Sequence, residues 1–110
     1  MKKRISLLLC FIILSAFCGC KPSNMSQTSY DGAKIAIEAA EQYLDMELSS
    51  VSAYDKINTV YSRVDAISEK DTGDISVCTY LITLRGAIQR EESDASIQSE
   101  IDNLKNAIGK

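Results

Sequence analysis

From Asp31 onward no stretch alternates apolar and polar residues long enough to make a strand, whereas apolar residues recur every three or four positions. A chain with that period can bury a continuous apolar face only by coiling into α-helices. In a first segment, 31–48, Ala33, Ile37, Ala40, Leu44 and Leu48 share one side, and Lys34, Glu38, Glu41 and Asp45 take the other. A second, 51–70, sets Tyr54, Ile57, Val60, Tyr61, Val64 and Ile67 against a polar face of Asp55, Asn58, Ser62, Asp65 and Glu69. Ser49-Ser50 separates the two, and Ser52 with Asp55 reads as a loose capping pair.

The third segment, 74–92, is the most apolar. Val77, Leu81, Leu84 and Ile88 form one seam, and Ile75, Cys78 and Ile82, followed by Gly86, form a second face. A helix apolar on two sides belongs in the middle of a bundle, and Gly86 on that second face predicts a close helix crossing. The fourth, 94–108, has a narrow seam of Ile97, Ile101, Leu104 and Ile108, with Ser93 or Asp94 as cap and Gly109 past the end. That seam either closes onto the third helix or serves as a face for a partner protein. The fold expected over 30–110 is therefore all-α, a small antiparallel bundle of about four helices.

Chemistry is narrowed by what the chain lacks. Its 110 residues contain no His, so a Ser-His-Asp or Cys-His nucleophile and a His-bearing zinc site are excluded. Asp71-Thr72-Gly73 matches the aspartic protease triplet, but that chemistry needs two such carboxylates on loops of a β-rich fold; here the triplet occurs once, between helical patterns, and reads as caps and a turn. The acids do not have the alternation of a calcium loop. Carboxylate pairs such as Asp65 with Glu69, or Glu38 with Asp45, lie on polar helix faces and read as solvated. No catalytic residue, metal ligand or dissociable cofactor is expected. Tyr54 and Tyr61, seven apart on one face, could instead line a groove for a peptide or sugar.

The N-terminus is of another kind. Lys2, Lys3 and Arg4 precede an apolar run from Ile5 to Phe17 broken only by two serines. Such a run has the length of a signal peptide and falls short of the roughly 20 residues a spanning helix needs. It leads into Phe17-Cys18-Gly19-Cys20, which resembles the end of the lipobox of bacterial lipoproteins, a small residue followed by the Cys that is acylated. Phe17 and Cys18 stand where that class commonly has Leu and then Ala or Ser; cleavage after Cys18, with Ala16 two residues earlier, is the competing ordinary site. The resemblance implies removal of 1–19, diacylglycerol and fatty acyl chains on Cys20, and a lipid-anchored domain on the cell membrane or outer membrane, outside the cytoplasm.

Processing would change the arithmetic of the chain. Cys10 and Cys18 leave with the signal, so after acylation Cys78 is the remaining thiol, expected to be a small buried hydrophobe or one half of an intermolecular disulfide. Three basic residues leave too, giving 9 Lys plus Arg against 15 Asp plus Glu, a net of −6. An acidic body argues against nucleic acid and against adhesion to anionic headgroups. Residues 20–29 read as the acylated Cys and a flexible polar tether that lets the domain stand away from the bilayer. In outline the pattern resembles small helical lipoproteins such as secretion pilotins and plasmid exclusion lipoproteins. The expectation is a non-catalytic envelope module that binds or positions another envelope protein, with a tyrosine-lined ligand groove as the alternative.

Overall fold

The computed structural model describes residues 21–109. The expected signal segment 1–19, with Gly19, and the expected acylation position Cys20 lie outside the described residues. Among the described residues four helices follow one another: α1 (Gln27–Leu44), α2 (Ser50–Asp65), α3 (Thr72–Gln89) and α4 (Asp94–Ala107). No strand occurs among the described residues, and the architecture is the all-α four-helix bundle that the 3.6-residue period dictates. Helices α1 and α3 each pack against the other three, whereas α2 and α4 do not touch.

Local chemistry sets where each helix starts. Ser26, Ser49, Asp71 and Ser93 are the N-caps, each accepting a backbone N–H of the first turn through its side chain. A cap of this kind contributes about 1 kcal/mol by satisfying a donor the helix cannot satisfy itself. For α2 the cap is Ser49, not Ser52: Ser49 is extended, and the Ser52 N–H donates to its Oγ at 3.1 Å. Asp71 caps α3 in a reciprocal box with Asp74, so Gly73 lies inside the first turn of α3 and is not the turn residue.

The ends of α1 and α3 are set by backbone closure without glycine, whereas α4 is followed by the expected Gly109 at φ +81°. At the end of α1, the Met46 N–H donates to the Tyr43 carbonyl and the Glu47 N–H to the Gln42 carbonyl, with Met46 at φ +64°. At the end of α3, Glu91 at φ +50° and Glu92 make the equivalent pair with Ile88 and Ala87. Both are Schellman closures with a side chain in the left-handed position. The expected first helix therefore stops at Leu44, and Leu48 packs on the core from the connecting loop.

The core takes the seams from all four segments. Val77, Leu81, Leu84 and Ile88 of α3 meet Ile57, Val60 and Val64 of α2 and the small Ala33, Ala36, Ala39 and Ala40 of α1. Tyr30 is its largest fully enclosed side chain. Close approach occurs between α1 and α2: a Cβ on Gly32 would stand 2.8 Å from Val60 Cγ1. The crossing expected at Gly86 is absent, because a Cβ there would meet only the Arg90 guanidinium of its own helix, 3.0 Å away. Nor does α3 hide both apolar faces; Ile75 and Ile82 stay exposed.

Candidate functional site

The residues just after Cys20 are not a loose tether. Helix α1 starts at Gln27, four positions before the expected start, and the segment ahead of it is fastened to the first turn of α3. The Gly73 N–H donates to the Asn24 carbonyl at 2.9 Å, and Asn24 Nδ2 donates to Thr72 Oγ1 at 3.0 Å. A Cβ on Gly73 would lie 2.6 Å from that Asn24 carbonyl oxygen, so the lack of a side chain is what lets the segment dock. Met25 is buried in the core, and Lys21 Nζ donates to its carbonyl at 2.9 Å. Polar composition alone predicted flexibility; the docking arises from backbone donors and a glycine 48 residues away from Met25 in the chain.

Asp74 is the joint between the two. Its Oδ1 accepts from the Ser26 N–H at 2.9 Å and from Ser26 Oγ at 3.0 Å, and its Oδ2 accepts from the Asp71 N–H at 3.0 Å. The residue is 2% exposed. Burial pushes the carboxyl pKa up, but hydrogen bonds from Ser29, Ser26 and Asp71 outweigh it and bring the carboxyl from its ordinary 3.8 down to about 2. One carboxylate thus caps α3 and fixes the start of α1. This arrangement positions backbone; with every oxygen engaged in holding two helix starts, it offers no group for acid–base work.

The proposed partner seam on α4 lies elsewhere. Ile97, Ile101 and Leu104 are wholly buried and Ile108 is 1% exposed, so the whole row closes into the bundle and presents no face to a partner. An isolated seam of this width gains more by completing the core of its own chain, where the partner helices are tethered at high effective concentration. The second face of α3 behaves in the opposite way: Ile75 is 53% exposed and Ile82 44%, with half-buried Cys78 between them. Burial pushes the Cys78 thiol pKa up, and Asp65 and Asp74 add to that while Lys70 opposes it.

Tyr54 and Tyr61 do share the side of α2 that faces α3. The Arg85 guanidinium lies 4.4 Å from the Tyr61 ring centre and 6.0 Å from that of Tyr54, and it also donates to Asn58 Oδ1. Periodicity marks Arg85 only as a polar position of the third segment; the packing of α3 on α2 is what brings it over these rings. The two tyrosines thus pack on a cation from their own chain. The carboxylates Glu38 and Asp65 are exposed on helix surfaces, and Glu69 is exposed on the α2–α3 connection because α2 stops at Asp65 and not at the expected 70; no group of three or more His, Cys, Asp and Glu that could hold a metal ion occurs among the described residues. No helix among those residues is long and apolar enough to cross a membrane. No protein-family model, curated protein or solved structure matches the chain.

Proposed function

We propose that this chain is a lipid-anchored envelope lipoprotein whose helical domain is a non-catalytic module that binds another envelope protein through the outer face of α3. The observation that supports this most is the exposure of Ile75 and Ile82, one heptad apart on a helix whose other seam is fully buried. The other large apolar residues exposed among the described residues, Ile35, Met46 and Val51, lie on α1, the α1–α2 connection and α2. A pair about 10 Å apart along one helix offers a partner helix two anchors at i and i+7. The anchor itself rests on the basic start, the apolar run and Gly19-Cys20.

Crosslinking in intact envelopes tests the face. A doubly substituted Ile75→Ser, Ile82→Ser chain keeps its helical circular dichroism and loses a crosslinked product that the unsubstituted protein forms. An undiminished product with the folded double variant overturns the α3 face as the contact. For the anchor, Cys20→Ser protein leaves the membrane fraction; if it stays there at the mass of the processed wild type, Cys20 is not the acylated residue.

A further inference from the structure

We infer that the bundle rests directly on the bilayer, with the end formed by residues 21–26, the α2–α3 connection and the start of α3 held against the phospholipid headgroups. This rests on the acylation of Cys20 proposed above and adds to it the face that meets the membrane. The observation that carries it is the docking of residues 21–26. Lys21 is covalently next to Cys20 and already hydrogen-bonded to Met25; Asn24 is tied to Gly73 and Thr72, and Ser26 to Asp74. Nine free residues could have spanned roughly 30 Å. With the segment docked, the acylated residue is separated from the fixed chain by one Cα–Cα step of about 3.8 Å.

Charge neither drives nor forbids this placement. Lys21 and Lys70 belong to this end, and so do Asp65, Glu69 and Asp71, with Lys70 Nζ engaged by the Asp65 and Ile67 carbonyls. The contact follows from chain length, so it forms equally on zwitterionic lipid. The α1–α2 and α3–α4 connections, at the other ends of α2 and α3, then point away from the bilayer, leaving the outer face of α3 from Ile75 onward accessible to a partner.

The chain has no Trp, so one introduced Trp is a clean reporter. Ser68→Trp marks the near end, and Val51→Trp marks the far end, about 24 Å away along the 16-residue α2. Each is made in a Cys78→Ser background and presented on phosphatidylcholine vesicles containing headgroup-nitroxide lipid. One preparation is isolated from cells; in the other, the chain from Cys20 onward is coupled through its Cys20 thiol to a maleimide lipid. Quenching several-fold stronger at Ser68→Trp than at Val51→Trp is expected, falling to the level of Val51→Trp when ten Gly and Ser residues are inserted between Cys20 and Lys21. Equal quenching at the two positions of the coupled chain, or an insertion without effect, overturns the inference. Cell-derived protein that fails to float with vesicles, beside a coupled chain that quenches unequally, overturns the anchoring and leaves the geometry standing.

Discussion

Replacing Asp74 by Asn separates charge from shape at the joint between the N-terminal segment and α3. The carboxylate accepts from Ser26 N and Oγ and from Asp71 N, all at 2.9 to 3.0 Å. An amide of the same size keeps one acceptor and turns an NH₂ toward a donor. The depression of the carboxyl from 3.8 to about 2 corresponds to about 2 kcal/mol of folded-state stabilisation. The folded pKa lies below the unfolded one, so this contribution is fully present above about pH 5 and disappears as pH falls through 2. Urea titrations followed by far-ultraviolet circular dichroism at pH 7, 5, 3 and 2 measure it. At pH 7 the Asn variant is less stable than wild type by about 2 to 3 kcal/mol, the excess over the charge contribution being the misplaced NH₂. At pH 2 the gap closes to within about 1 kcal/mol, because wild-type Asp74 is then about half protonated in the folded state and almost wholly protonated in the unfolded one. Other carboxylates titrate alike in both proteins and cancel in the difference. A gap that is the same at pH 2 and pH 7 would refute the charge assignment and leave only a steric role for Asp74.

Other consequences follow from the packing. Gly86→Ala meets only a movable Arg90 side chain and raises stability by about 0.5 to 1 kcal/mol, whereas Gly32→Ala, aimed at Val60 Cγ1 2.8 Å away, lowers it; thermal melts of the pair give opposite shifts. Met46 is 92% exposed and left-handed, so Met46→Gly loses almost no burial and relieves about 1 kcal/mol of backbone strain, read as a higher urea midpoint. Ile101→Asp places a carboxylate in a wholly enclosed site; circular dichroism then shows a largely unfolded chain at neutral pH, and a stably folded variant would contradict the burial of the α4 seam.

The helices were legible in the sequence because a 3.6-residue period is local and redundant. Losing or misplacing one residue such as Leu48 does not disturb the pattern of Ala33, Ile37, Ala40 and Leu44. Their ends were less legible for an equally physical reason. Closures on Met46 and Glu91 use a strained left-handed side chain where the sequence rule looks for Gly, so nothing in composition marks the end of α1 at Leu44. Glycine misled in the opposite direction. Gly86 lies on the apolar second face of its helix, yet the close helix contact belongs to Gly32, whose opposing Val60 lies 28 residues away, and only the folded chain shows which glycine a neighbour reaches.

The candidate site divides along the same line between local and distant information. Periodicity could place Ile75 and Ile82 on one face and Ile97 to Ile108 on another, but which face closes inward depends on competition among all the apolar surfaces of the bundle. The α4 seam wins because its four large side chains stack in one row facing α3 and α1, whereas Ile75 and Ile82 lie on the side of α3 that the other three helices leave uncovered. The docked segment was hidden altogether. Ser23, Asn24 and Ser26 read as solvated linker because each is polar, yet polar residues hold a chain in place whenever unsatisfied helix-start donors and a buried carboxylate stand within reach. The start of α3 supplies both, through Gly73 N–H and Asp74. A polar segment ahead of a bundle is therefore flexible only if the folded domain has no open helix start for it to complete, and the start of α3 is one that residues 24–26 complete.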